Sequence, residues 1–270
     1  MAVQKKIIAT IEARMGSTRL PGKVLKPLAG APMLQRVFER AAGAGSIDRV
    51  VLATTTEKRD DVLVHLAEEL GTDYYRGSEE DVLDRLAGAI KKYTPDVVVS
   101  LTGDNPLIDP VLIDDMVSFF FSKGYDYAAS THMHHSDKWM AERTFPAGIS
   151  VQVIRAGIIL DVSEEIKDIK IREHGTYGIY NRTDGKYKLG DFQAEGKYIE
   201  WRHPELRFTV DTPEDYELMS RIYNMLYHRN PAFSSLEAIK LVSENPELKA
   251  INAGVQQRIA HERLRAKAGK

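Results

Sequence analysis

Apolar runs of strand length alternate with stretches of helical periodicity over the first 130 positions. Residues 7–13, 49–54 and 97–101 are aliphatic and β-branched runs, which predict strands buried on both faces, the pattern of a parallel sheet. Helical segments separate them. Pro32, suited to a first helical turn, opens one that extends to about Ala44. Residues 60–70 form a second, closed by Gly71. Ser78 stands as the cap of a third that runs to Tyr93, with Glu79, Glu80 and Asp81 where the macrodipole favours acids. Residues 73–76 and 125–129 read as short strands, and Asp109-Pro110 starts a further helix. This βαβ succession predicts an α/β fold: a Rossmann-like, mostly parallel sheet flanked by helices, with its site at the C-terminal ends of the strands.

The rhythm changes between about 131 and 205. A strand over 148–154, a helix over 172–181 and a hairpin from 187–193 and 197–201 are expected, as an inserted α+β segment shaping an acceptor pocket or a subunit contact. Residues 206–210 return to the main sheet in this reading, and Thr212-Pro213-Glu214-Asp215 opens a long helix. The main domain spans 1–230 and a helical extension 231–270, its end (256–267) a polar helix.

Composition narrows the function. With 270 residues and 43% hydrophobic content, the chain can bury a large core. A net charge of −2 offers no broad basic field, so a nucleic-acid partner is not expected. There are no cysteines, which excludes disulfides, thiolate metal sites and cysteine nucleophiles. No leader is expected before residue 7, and no apolar stretch approaches the roughly 18 residues of a membrane span; a cytoplasmic protein without membrane partners is expected.

Positive charge is instead local. The first strand empties into a loop holding Gly16, Pro21 and Gly22, which concentrates Arg14, Arg19, Lys23 and Lys26 with no carboxylate after Glu12. Glycines let main-chain N–H groups turn toward an anion, and guanidinium and ammonium groups neutralise it. The loop is not a Walker A motif: five residues separate Gly16 from Gly22-Lys23, and Val24 follows. Two later strands each end in a carboxylate: Thr102-Gly103-Asp104 follows 97–101, and Asp211 follows 206–210. If those strands are neighbours, two hard oxygen donors converge beside the cationic loop, as a phosphate-bridging Mg²⁺ requires. Asp211 before Thr-Pro is also a good helix cap, and the two roles are compatible.

Ala13 to Lys23, then Thr102-Gly103-Asp104-x-Pro106-Leu107, then Arg172-Glu173-His174, then Arg207-x-Thr209-Val210-Asp211-Thr212-Pro213-Glu214-Asp215 occur in one order. Over roughly residues 5–225 the chain resembles the cytidylyltransferases that make CMP-activated sugar acids, in particular their spore coat polysaccharide branch, with CMP-Kdo and CMP-sialic acid synthetases as relatives. The resemblance implies a nucleotidyltransferase fold of GT-A-like type, a homodimer, CTP and a small anionic sugar as substrates, and Mg²⁺. It assigns Arg14, Ser17, Arg19 and Lys23 to the phosphates and main chain around Ala13, Met15 and Gly16 to the nucleotide. It assigns Arg76, Gly77 and Ser78 to base and ribose, Thr102 to the nucleotide, Asp104 and Asp211 to the metal, and Gly148, Gln152, Arg172 and His174 to the acceptor. Arg14, Lys23, Asp104 and Asp211 would be the catalytic set. The branch carries acids near the positions of Ala147, Ser150 and Gln152, so acceptor contacts differ here while the CTP half does not.

His132, His134 and His135 lie close together, but their polar surroundings read as a solvated loop rather than a transition-metal site. Ser17 has no evident base, so a nucleophilic serine is not expected. Two rival functions stand beside the main one: a nucleotidyltransferase with a sugar phosphate or phosphonate acceptor, and a non-catalytic nucleotide binder.

Overall fold

In the computed structural model, residues 5–130, 143–182 and 184–256 are described. Strands β1 (Ile7–Glu12), β2 (Arg49–Thr55), β3 (Asp73–Gly77) and β4 (Val97–Thr102) pair in parallel in the order β3-β2-β1-β4. Three further strands, β5 (Tyr127–Ala129), β6 (Gln152–Arg155) and β7 (Leu189–Asp191), extend this to a seven-stranded sheet, β3-β2-β1-β4-β6-β5-β7. Only β6 runs against its neighbours; β7 pairs in parallel with β5.

Helices α1 (Met33–Ala42), α2 (Asp61–Glu69), α3 (Val82–Tyr93) and α4 (Pro110–Ser122) connect the strands in sequence, as parallel pairing demands. After β6 come α5 (Ala156–Glu165) and two single-turn helices, α6 (Ile169–Arg172) and α7 (Tyr177–Tyr180); α8 (Pro213–Leu226), α9 (Ser235–Ser243) and α10 (Pro246–Ile251) complete the fold. Among the described residues no helix is long and apolar enough to cross a membrane.

The alternation of strand side chains places the core on both faces. Ile7, Ala9, Ile11, Val97, Val99 and Leu101 enter the larger cluster, under α1, α4 and α8. Ile8 and Val98 enter the second, which α3 covers with Leu83, Leu86, Ala87 and Ile90 and α5 with Ile158, Ile159 and Val162. That second face changes character along the strands. Ile8 pairs with Val98, but the next residues on the same side are Thr10 opposite Ser100, then Glu12 opposite Thr102. Ser100 is in turn opposite Gln152 of β6. The face is therefore apolar at its base and polar at the C-terminal end of the strands.

Several expected elements differ. The helix after Gly77 starts at Val82, because Asp81 is its cap, accepting from the Asp84 N–H at 2.8 Å, while the Ser78 hydroxyl accepts from the Asp81 N–H. The segment 172–181 is broken into α6 and α7 by Gly175, whose φ of 52° cannot continue a helix. No hairpin forms from 187–193 and 197–201: Gly196–Trp201 is a 3₁₀ helix that buries Tyr198 and Trp201. Residues 206–210 do not rejoin the sheet. Their main chain instead bonds Ala147 on one side (Phe208 N–H to the Ala147 carbonyl, 2.6 Å) and the Asp104 carbonyl on the other (from Val210 N–H, 2.8 Å), with a single parallel bridge at Ala147 and Arg207. The histidines 132, 134 and 135, and nearly all of the helix expected over 256–267, lie outside the described residues.

Candidate active site

A cavity of about 510 Å³ opens at the C-terminal ends of β1 and β4. One end is walled by the loop after β1: Ala13, Arg14, Gly16, Ser17, Thr18, Arg19 and Lys23, facing Asp104 and Asp211. The other is walled by Gln152 and by Glu173, His174, Gly175 and Thr176, the turn between α6 and α7. Glu12, Ser100 and Thr102, from the polar end of the second sheet face, line it as well, together with Glu79, Val82, Arg85 and Leu86 at the start of α3.

Local bonding shapes the loop. Gly22 adopts φ 67°, and its N–H and that of Ser17 both donate to the Met15 carbonyl, curling residues 15–22 into a compact turn. The buried carboxylate of Asp60 anchors the turn, accepting from the Met15 N–H at 2.7 Å and from the Thr55 hydroxyl. Arg14 donates to Glu79 at 3.1 Å, and Glu79 also pairs with Arg59. Arg19 pairs with Asp211 at 2.9 Å.

Lys23 is the centre of the charged end. It is 8% exposed, and its Nζ donates to Asp104 Oδ2 at 2.7 Å, Asp211 Oδ1 at 2.8 Å and the Val210 carbonyl at 2.8 Å. Burial alone would lower its pKa, but the two carboxylates reverse this and raise it, so the ammonium stays charged. Asp211 is half-buried, which opposes ionisation; Lys23, then Arg19 and Arg207, outweigh that and hold it at about 2. Thr102 donates to the second oxygen of Asp104 at 2.7 Å. Asp211 is not the cap of α8. Thr212 is, in a capping box with Asp215, so the carboxylate of Asp211 is left to the cavity and its cations.

This arrangement suits a divalent cation. Carboxylate oxygens from two elements already meet at one positive centre, the Lys23 ammonium, at 2.7 and 2.8 Å. Both donors are hard oxygens, the type Mg²⁺ selects. Among the described residues no group of three or more His, Asp or Glu side chains converges with metal-ligand spacing. A cation held by Asp104 and Asp211 would complete its shell with water and phosphate oxygens, its usual habit at such sites.

Glu12 was not singled out from the sequence, although it is the carboxylate at the end of β1. Burial pushes it from an ordinary 4.5 up to about 7, against the attraction of Arg85 and hydrogen bonds from Thr10 and Ser100. Folding therefore takes up a proton at Glu12 between those values; its stabilising effect is fully present below pH 4.5 and is lost as pH rises through 7. Relative to Glu12→Gln, the wild-type protein is expected to lose roughly 1–3 kcal/mol between pH 5 and 8. Melting curves of both proteins at each pH check this; parallel trends would mean that Glu12 titrates normally.

Other expected site residues lie elsewhere. Met15, Arg76, Gly77, Ser78, Gly148 and Arg172 do not line the cavity. Arg76 bonds the Thr55 and Glu57 carbonyls and pairs with Asp61 at 2.7 Å. Arg172 is buried, pairing with Asp81 at 2.7 Å and capping the Ser163 and Ile166 carbonyls; it holds α6 against α3. Gly148 has φ 90°, and a side chain there would meet the Thr209 nitrogen at 2.3 Å, so it is a close backbone approach. Gln152 and His174 do line the cavity. Arg85, Ser100 and Thr176 join the site without having been expected. The signal for Ser100 was the two-residue period of strands, and for Arg85 a cation in the first turn of a helix, where the macrodipole disfavours it.

A family model described as cytidylyltransferase matches residues 8–241. The spore coat polysaccharide biosynthesis protein SpsF of Bacillus subtilis (strain 168) is 37% identical over 246 residues, 89% of this chain and 95% of that protein. The 3-deoxy-manno-octulosonate cytidylyltransferase of Trichlorobacter lovleyi is 39% identical over 118 residues, 43% of this chain and 45% of its own length. Among solved structures, a cytidylyltransferase from Leptospira borgpetersenii serovar Hardjo-bovis superposes with a TM-score of 0.80 at 29% identity, covering 94% of this chain and 99% of that one.

Proposed function

The chain belongs to the cytidylyltransferase family and is a nucleotidyltransferase with a Rossmann-like fold; from this we propose that it uses CTP to activate a sugar acid of the Kdo or nonulosonic type, forming the CMP derivative and releasing pyrophosphate. The observation that carries the reading is Lys23 held between Asp104 and Asp211, at the mouth of a cationic loop and in one cavity with a polar pocket large enough for an acceptor. The name of the octulosonate relative supports the acceptor class, and that of the spore coat relative supports a role in polysaccharide biosynthesis.

In this reading Arg14, Ser17, Arg19 and the main chain of 13–17 hold the triphosphate. On its arrival the Lys23 ammonium trades carboxylate partners for phosphate oxygens. The acceptor hydroxyl attacks the α-phosphorus, the bond to pyrophosphate breaks, and the hydroxyl proton passes to solvent water. No covalent enzyme intermediate is needed, because positioning and neutralisation of charge lower the barrier. Asp104 and Asp211 would hold a Mg²⁺ ion, which supplies Lewis-acid neutralisation of the phosphates. The enzyme is proposed to work in the cytoplasm as a homodimer, with residues 131–205 contributing to acceptor pocket and subunit contact; light scattering checks the dimer.

The test is a melting-temperature screen with CTP, UTP, GTP and ATP, each with Mg²⁺, followed by pyrophosphate release with eight- and nine-carbon keto sugar acids. A ligand at about 100 times its Kd stabilises the native state by about 2.7 kcal/mol, a shift of several degrees. CTP alone is expected to give it, and one keto acid to trigger release. Equal shifts from all four nucleotides, or release only with a sugar phosphate, would sink the reading.

A further inference from the structure

Arg85 occupies an expensive position. It lies in the first turn of α3, is 3% exposed, and lines the cavity. Its Nη1 donates to the Ser78 carbonyl at 2.6 Å, but its Nε–H is buried without a partner, and it forms no ion pair among the described residues. A buried guanidinium pays several kcal/mol in lost hydration unless an anion compensates it, and the helix N-terminus adds to the penalty. The acid that acts on it most strongly, Glu12, is half-buried beside the Thr10 and Ser100 hydroxyls that donate to it and is only partly ionised near neutrality. Gly77 makes room for this placement: a side chain there would meet the Arg85 stem at 3.0 Å.

A second donor lines the same cavity. Gln152 lies opposite Ser100 in the sheet, and its Oε1 accepts from the Tyr127 hydroxyl at 2.9 Å and the Thr176 hydroxyl at 2.7 Å. Two donors on that oxygen fix the orientation of the amide, and the NH₂ group has no partner among the described residues. A cation and an oriented amide lining one cavity, both with unused N–H groups, are complementary to a carboxylate, which accepts up to four hydrogen bonds.

We propose that Arg85, seconded by the Gln152 amide, binds the carboxylate of the acceptor and so makes the enzyme specific for sugar acids over neutral sugars. This rests on the sugar-acid reading of the site but adds to it the residues that recognise the acid group. Binding of that carboxylate completes the partner set of Arg85 and makes the buried charge favourable only when the correct acceptor is present.

The experiment measures binding and turnover for 3-deoxy-manno-octulosonate and N-acetylneuraminate, each against its methyl ester, in the wild-type protein and in Arg85→Met, Arg85→Lys and Gln152→Leu. CTP binding in each variant reports that it is folded. The wild type should prefer one acid over its ester by about 100-fold, on the scale of a lost charge-assisted pair. Arg85→Met should erase that preference and raise the acceptor KM at least tenfold with the CTP KM unchanged; Arg85→Lys should retain part of it, and Gln152→Leu should weaken it less. An Arg85→Met enzyme that keeps the preference, or that loses CTP affinity instead, overturns the assignment. A wild type that binds CTP but neither acid overturns it too while leaving the nucleotide reading intact; one that binds an acid but no nucleotide does the opposite.

Discussion

Replacing Asp104 by Asn is expected to lower kcat for pyrophosphate release by about three orders of magnitude, about 4 kcal/mol of transition-state stabilisation, while leaving the fold in place. The two halves have separate causes. Asp104 contributes one of the two carboxylates that meet at Lys23, and an amide of the same shape supplies neither the charge nor the affinity for a divalent cation. Stability suffers less because the neighbours retain partners. Lys23 keeps Asp211 and the Val210 carbonyl, the Thr102 hydroxyl can still donate to the amide oxygen, and the main-chain bond from Val210 to residue 104 is untouched. The loss of one charge-assisted bond amounts to roughly 1.5–3 kcal/mol. Initial rates with CTP and the active sugar acid, beside a thermal melt, measure both. Near-wild-type turnover would remove Asp104 from the catalytic set; loss of the melting transition would make it structural instead.

The parallel half of the fold was legible because its signal is strong and local: β1, β2 and β4 are aliphatic runs buried on both faces, and the helices between them are of ordinary length. The same runs hid part of the site. Read as continuous apolar strands, 7–13 and 97–101 conceal that Thr10, Glu12, Ser100 and Thr102 share one side, a fact that follows from the two-residue period once the register of Ile8 with Val98 is known. Gln152 joins them only through the antiparallel β4–β6 pairing, a contact between residues 52 apart in sequence with no local signature. Asp104 and Asp211 were readable as carboxylates past apolar runs, yet they converge by a route other than the one expected. Residues 206–210 reach the site by bonding Ala147 and the Asp104 carbonyl, not as a strand of the main sheet. Arg172 shows the limit of carrying a motif across. Its charge is matched inside the protein by Asp81, a residue whose place beside it depends on the docking of α6 against α3. Asp81 also caps α3, a role that the run of three acids after Ser78 left ambiguous.

Asp215→Ala is expected to destabilise the protein by about 3–5 kcal/mol and to weaken catalysis although Asp215 does not line the cavity. Its side chain is 1% exposed and gathers five donors: Arg207 Nε at 2.9 Å and Nη2 at 3.1 Å, the N–H groups of Asp211 and Thr212 at 3.0 and 3.1 Å, and Asn252 Nδ2 at 2.9 Å. Truncation leaves a buried guanidinium short of its main counter-charge and orphans two main-chain donors at the start of α8, which are the costly ways to break a buried network. Arg207 keeps the Asp211 carboxylate, already 2.8 Å from its Nη2, and would draw that group away from Lys23. Activity should therefore fall further than stability at the assay temperature explains. Asp215→Asn separates the effects: it preserves volume and one acceptor but not the charge, and should cost about 1–3 kcal/mol. Urea unfolding of both variants gives the stability loss, and rates measured well below each midpoint give the catalytic loss. If Asp215→Ala unfolds within 1 kcal/mol of the wild type, the Arg207–Asp215 pair contributes little and some other contact fixes Asp211. If it is unstable yet fully active when folded, Lys23 and Arg19 alone hold the carboxylate in place, and the network beneath them serves the fold and not the chemistry.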